Sequence, residues 1–215
     1  MIALGCDKIS LAFGVKQVLD NVSFSVQMGD KVGIVGVNGA GKSTLFSVIT
    51  GSLVPDSGNV YVAKGCSVGY LAQNAIVESD RTLFEEMLDA QNEMIALEER
   101  LALLHERAEN GDENASVEFA LLHEKFVSDG GLQYKSRCRG ILTSLGFNED
   151  MQGTPVNALS GGQKTRVALA KLLVREPDII LLDEPTNHLD VESIAWLEKF
   201  ILSSKKTFMI ISHDR

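Results

Sequence analysis

Eight consecutive residues, Gly36-Val37-Asn38-Gly39-Ala40-Gly41-Lys42-Ser43, have the make-up of a loop that cradles phosphate groups. Glycines let successive backbone N–H groups turn inward as an anion-binding nest, and the start of a following helix adds the positive end of its dipole. Lys42 supplies a mobile cation for the β- and γ-phosphates, the Ser43 hydroxyl can bind Mg²⁺, and Thr44 extends the group by one residue. A second candidate is the run Ile179-Ile180-Leu181-Leu182-Asp183-Glu184, an apolar strand ending in two carboxylates. Charges at the carboxyl end of a strand sit where α/β sheets bind ligands. Asp183 is placed to approach Mg²⁺, commonly through water, and Glu184 to take a proton from an attacking water or to orient it. Alone, such a strand end is an ordinary feature of buried strands; beside the loop it gains meaning.

The run Leu159-Ser160-Gly161-Gly162-Gln163 precedes an apolar helix at Val167 to Leu173. Ser160 can cap that helix, and Gly161 and Gly162 leave backbone N–H groups open to an anion. By itself the run reads equally well as a capped helix.

These groups need a scaffold of alternating strands and helices. Lys31 to Val35 reads as a short buried strand, followed by the Gly-rich loop and a helix from about Lys42 to Thr50, closed by Gly51. Ile9 to Phe13 and Val18 to Val26 alternate loosely and predict an antiparallel group; Val60 to Val62, Val68 to Leu71 and Phe208 to Ile211 read as further strands. Ile194, Leu197, Ile201 and Leu202 mark an amphipathic helix in which Trp196 and Phe200 are expected in the core. This order predicts a mostly parallel sheet flanked by helices.

Between these parts lies a different stretch. Leu83, Met87, Met94, Leu97, Leu101 and Leu104 share one helical face, Asn110-Gly111-Asp112 interrupts, and Ala115, Phe119, Leu122 and Phe126 continue on a second helix. The pattern predicts an antiparallel helical hairpin whose first helix, from Leu83 to Ala108, is about 39 Å long at 1.5 Å per residue. A third helix is expected from Leu132 to Leu145. From Glu78 to Ser128 there are 14 acidic and four basic residues, a local charge of −10 against −9 for the whole 215-residue chain. Nucleic-acid binding normally wants a basic face, so direct contact of the hairpin with nucleic acid is doubtful.

No stretch is apolar for the roughly 18 to 20 residues a membrane span requires. Met1 to Cys6 lacks the basic and apolar regions of a signal peptide, and Cys6, Cys66 and Cys138 are odd in number and widely spaced. Both features predict a cytoplasmic protein with reduced thiols.

Taken in order, the P-loop, Gln73, the Leu-Ser-Gly-Gly-Gln run, the Asp183-Glu184 strand and His213 resemble the ABC ATPase superfamily along essentially the whole chain. The resemblance implies an α/β fold: an ABC-type P-loop core with a mostly parallel sheet, an N-terminal antiparallel β subdomain and an inserted helical subdomain carrying the hairpin. It divides the chain into a nucleotide-binding core, 1–77 and 155–215, and a helical part, 78–154. It also implies ATP and Mg²⁺, and two cassettes sharing two sites, so that Ser160, Gly161, Gly162 and Gln163 serve a partner's nucleotide. The second cassette is then in the same longer chain or in a second copy. By the same resemblance Gln73 contacts Mg²⁺ or the attacking water, His213 contacts the γ-phosphate, and Phe13 stacks on adenine. Taken singly, these three read as a loop amide, a surface histidine and a core aromatic.

Pro185-Thr186-Asn187-His188-Leu189-Asp190 resembles the ABC-F branch, whose members carry two cassettes in one chain and act on ribosomes. Trp196-Leu197-Glu198, Ser212-His213-Asp214-Arg215 and the 86 residues from Gln73 to Leu159, room for an inserted arm, point the same way. With one P-loop and no internal repeat, the chain is expected to be the first half of such a protein. Three other readings compete. A membrane transporter's ATPase subunit is opposed by Asn187-His188 and the hairpin. A chromosome or repair ATPase would carry a far longer insertion, and a non-enzymatic ATP sensor is opposed by intact Lys42 and Glu184.

Overall fold

The computed structural model describes residues 1–212. In chain order the first half forms β1 (Ile2–Phe13), β2 (Lys16–Gln27), β3 (Lys31–Ile34), α1 (Lys42–Ile49), β4 (Ser57–Val62), β5 (Val68–Leu71), α2 (Leu83–Asp89) and α3 (Asn92–Glu109). The second half forms α4 (Glu113–Ser128), α5 (Tyr134–Ser144), two short 3₁₀ turns, α6 (Gly161–Arg175), β6 (Ile179–Asp183), α7 (Val191–Ser203) and β7 (Thr207–Ile211). These elements divide into two compact units, Met1–Ile76 with Gly161–Arg215, and Val77–Ser160.

The first unit holds two sheets. One is antiparallel, in the order β2-β1-β4; the other is wholly parallel, in the order β3-β7-β6-β5. A single apolar cluster joins them, including Leu4, Ile9 and Leu19 of the antiparallel sheet, Phe46 of α1, and Ile179 and Met209 of the parallel one. All five residues of β6 are buried, which is why it reads as an unbroken apolar run rather than an alternating one.

β1 starts at Ile2, well before the expected Ile9. Its pairing with β2 slips between Cys6 and Ile9, and Lys8 between them takes φ 51. The bulge puts Cys6 and Ile9, three residues apart, both inside, so a strict period of two cannot register the strand. The Trp196 and Phe200 rings lie 5.3 Å apart, tilted against each other, but stay half-buried. They form a surface pair on α7, not core, because Leu197 and Ile201 face inward.

At the amino ends of the parallel strands one carboxylate joins three connections. Asp178 accepts hydrogen bonds from the Ser67 backbone N–H (3.0 Å) and hydroxyl (2.9 Å) and from Lys206 Nζ (2.9 Å). These bonds, the backbone one first, hold the Asp178 carboxyl down at about 2. A depressed acid contributes stability above its unfolded value near 4 and loses it as pH falls through the folded value. The expected result is that Asp178→Asn lowers the urea midpoint above about pH 4, and that the gap from the parent closes between about pH 4 and 2. Equilibrium unfolding across that range measures it; a gap that does not change with pH excludes the ionised clamp.

In the second unit the expected long first helix is broken. α2 ends at Asp89, α3 starts at Asn92, and the Ala90 and Gln91 N–H groups close back on Met87 O (3.2 Å) and Leu88 O (2.7 Å). Such i→i−3 bonds tighten and end a helix. Met87 and Met94 are seven apart, two helical turns, so the apolar phase passes unchanged across the break. Over its 18 residues α3 is about 27 Å long. Thr82 and Glu85 form a capping box that starts α2.

The hairpin is α3 and α4, joined by a turn at Gly111 with φ 89, and Asp112 caps α4 through the Ala115 N–H (3.1 Å). Leu101 and Phe126 are buried in its seam with Tyr134, and Arg100 pairs with Glu118 across it (2.8 Å). Tyr134 donates to Glu98 (2.6 Å); burial first, then that carboxylate, pushes the phenol up to about 12. The expected third helix is α5, starting at Tyr134.

Candidate functional site

The glycine-rich loop leaves β3 at Ile34 and enters α1 at Lys42. Gly39 and Gly41 take φ 75 and 90, the left-handed region that side chains resist. At Gly41 a Cβ would also lie 2.8 Å from the Val18 carbonyl oxygen, so glycine is required there twice over. Lys42 Nζ folds back and donates to Gly36 O (2.7 Å) and Val37 O (3.1 Å). An ammonium held this way can exchange its carbonyl partners for the oxygens of an anion.

The loop opens onto a cavity of ≈ 490 Å³ lined by Asn38 to Thr44, Phe13, Lys16, Val18, Gln73 and Glu184. Its size is that of a nucleotide-scale pocket. Phe13 is half-exposed at 53%, available to stack rather than held in the core. Gln73 follows β5 and is exposed. Glu184 follows β6, where its N–H donates to Ile211 O (3.0 Å) and its φ is 51. A non-glycine residue held left-handed at a ligand edge is strain of the kind that collects at functional sites.

Asp183, the last residue of β6, is 2% exposed and lines a smaller cleft of ≈ 10 Å³ with Gln73, Glu184, Arg166 and Asn187. Its Oδ1 is buried without a hydrogen-bond partner, a costly condition for a carboxylate unless a cation or water completes it. Tyr70 lies against it: burial, followed by the charge and hydrogen bond of Asp183, pushes the Tyr70 phenol up to about 12.

The Leu159 to Gln163 run is split between units. Ser160 closes the helical unit, and Gly161, Gly162 and Gln163 open α6 in the other. Gly161, Gly162 and Gln163 do not line the large cavity. Instead the His188 ring lies 3.3–3.4 Å from where a Gly162 Cβ would stand, and His188 itself takes φ 70. His213 lies outside the described residues; the described chain ends at Ser212, whose N–H donates to Ile34 O (3.3 Å).

Three contributors escaped the sequence reading. Lys16 borders the cavity because the tight β1–β2 connection returns it beside Phe13. Tyr70 reaches Asp183 because β5 and β6 are parallel neighbours. Asn187 donates through Nδ2 to Glu184 Oε2 (3.1 Å). Of these only Asn187 carried a local signal, an amide three residues past a carboxylate with Pro185 between, the make-up of a turn.

The family described as ABC transporter matches residues 19–187. The protein YdiF of Bacillus subtilis is 39% identical over 219 residues, covering all of this chain and 34% of that protein. ABC transporter F family member 5 of Arabidopsis thaliana is 38% identical over 205 residues, covering 92% of this chain and 30% of that protein. The chain thus spans about a third of the length of these curated relatives. A solved nucleotide-free ATP-binding cassette from an ABC transporter superposes with TM-score 0.65 at 25% identity, covering 100% of this chain and 82% of the other. The ATP-binding subunit of another ABC transporter gives TM-score 0.71 at 22% identity, over 99% and 80%. With its phosphate loop, acidic strand end and paired sheets, the chain belongs to the ABC family as an ATP-binding cassette, and its relatives include ABC-F members.

Proposed function

We propose that this cassette hydrolyses ATP with Mg²⁺ at a site shared with a second cassette, as half of an ABC-F protein acting on the ribosome in the cytoplasm. The observation that carries the hydrolytic reading is the shared wall of one cavity: Glu184 and Gln73 face the same space as Lys42 and the loop donors. Backbone N–H groups of the loop and the Lys42 ammonium bind the phosphates and draw off negative charge. Phe13 stacks on the adenine. Glu184 accepts the proton of the attacking water or orients that water, and Gln73 and His213 help place water and γ-phosphate. Ser43, Gln73 and Asp183 would hold Mg²⁺, and the unsatisfied, buried Asp183 Oδ1 suits such a cation. When bound, the ion would neutralise phosphate charge.

Ser160, Gly161, Gly162 and Gln163 serve the other cassette's nucleotide in this reading, which the absence of the last three from this cavity's lining supports. In this reading the nucleotide-binding core extends over 1–77 with 155–215 and the helical part over 78–154, bounds a few residues from the compact units 1–76 with 161–215 and 77–160, and the second cassette lies in the same longer chain or in a second copy. The ABC-F reading rests on Asn187-His188, on the α3–α4 hairpin and on the F-family relatives. The hairpin's acidity favours a basic ribosomal protein over RNA as its contact.

Among the described residues no helix is long and apolar enough to cross a membrane, and the transporter alternative places the membrane-spanning part outside them. Ribosome co-sedimentation of the full-length protein carrying Glu184→Gln separates the two. The expected result is pelleting with ribosomes in ATP and not in ADP. Partition with membranes and a permease in both nucleotides would replace the ribosomal reading with the transporter one.

A further inference from the structure

We propose that Asn187 is a positioning residue for hydrolysis: its side-chain amide fixes the carboxylate of Glu184 in the orientation that meets the attacking water. The inference rests on the hydrolytic role given to Glu184 above.

The loop after β6 is built to make this contact. Pro185 occupies the second position of a turn in which the Asn187 N–H donates to Glu184 O (3.2 Å), and Leu189 N–H closes a second turn on Thr186 O (3.2 Å). Proline fixes φ near −65° at that position, so residue 187 is delivered beside residue 184. The Asn187 side chain then adds a bond of its own, Nδ2 to Glu184 Oε2 at 3.1 Å. Backbone and side chain of one residue thus hold both ends of Glu184, whose left-handed φ of 51 makes it a position that needs holding. Next in sequence, His188 packs against Gly162 and fixes the far side of the loop.

The chemical consequence follows from the shape of a carboxylate. A free glutamate samples several rotamers about three side-chain torsions. With one oxygen tied to an amide, the rotamer is set and the direction of the other oxygen follows. Proton acceptance depends on that direction, because a reacting group displaced by about 1 Å loses much of its effect. Phosphate binding does not depend on it, since Asn187 does not line the large cavity. Loss of the amide should therefore lower kcat and spare KM.

Two variants test this by steady-state hydrolysis and by titration with a fluorescent ATP analogue. Asn187→Ala removes the donor. Asn187→Asp keeps the size and turn preference of asparagine but replaces the donor by a second carboxylate. Each should lower kcat on the order of ten-fold, with affinity for the analogue changed by less than about two-fold. In a Glu184→Gln background the same substitutions should change the residual rate by less than about two-fold, because their effect acts through that carboxylate. Full kcat in Asn187→Asp would show a turn role alone, and an increased kcat would show an inhibitory latch; either overturns the proposal. Equal losses with and without the Glu184 carboxylate overturn it as well. Undiminished hydrolysis by Glu184→Gln alone, or no hydrolysis by the parent, overturns the underlying reading and the proposal together.

Discussion

Lys42→Ala is expected to weaken ATP binding about ten- to a hundred-fold, the equivalent of losing charge-assisted hydrogen bonds of roughly 1.5–3 kcal/mol at 1.4 kcal/mol per decade. The substitution leaves the cradle standing. Gly39 and Gly41 keep their left-handed backbone, the N–H groups of the loop still converge, and α1 still points its positive end at the site. Only the mobile cation is lost. In the structure that ammonium is held by two backbone carbonyls, Gly36 O and Val37 O. Both contacts are exposed and exchange readily with water. Their loss costs little stability, and alanine at the first helical residue suits α1. The effect should therefore appear in binding and not in unfolding. Titration with a fluorescent ATP analogue, paired with a thermal melt by circular dichroism, separates the two. Unchanged affinity in Mg²⁺ would remove Lys42 from the phosphate contacts; a large fall in melting temperature would place its role in holding the loop.

The parts of the site legible in the sequence are those where one short segment supplies several groups at once. The loop from Gly36 to Ser43 and the strand from Ile179 to Glu184 are of this kind, since strand, turn and helix start are dictated locally. The fold class followed from the alternation of apolar runs with helical periods, and the parallel four-stranded sheet agrees with it. What stayed hidden depends on neighbours distant in sequence or on phase. Tyr70 meets Asp183 only because β5 lies beside β6. The break at Ala90-Gln91 is invisible because seven residues restore the helical phase. Trp196 and Phe200 look like core by size, yet a helix with Leu197 and Ile201 inside has no inward place left for them. The bulge at Lys8 hides half of β1.

Glu184→Gln should convert a weak, transient pairing of cassettes into a stable ATP-bound dimer while slowing hydrolysis about 10²- to 10⁴-fold, the usual contribution of a general base. Glutamine keeps the length of the side chain and can still accept from Asn187 Nδ2 through its amide oxygen, so the turn at 184–187 is preserved. What it cannot do is take a proton from water. It also removes one negative charge from the cavity wall shared with Lys42 and the loop, which in the proposed site lowers repulsion toward the phosphates. In the proposed sandwich the two cassettes are joined largely through the nucleotide. Loop donors and Lys42 hold it from one side, and Ser160 with the N–H groups of Gly161 and Gly162 holds it from the other. The bridge lasts as long as the γ-phosphate lasts, so a block in hydrolysis lengthens the closed state, and ADP, which lacks that group, does not support it. In the proposed two-cassette protein the same event should appear as closure within one chain. Size-exclusion chromatography with light scattering on the 215-residue chain carrying Glu184→Gln should give a dimer in ATP and a monomer in ADP. A monomer in both, with ATP demonstrably bound, would exclude the sandwich for this cassette on its own.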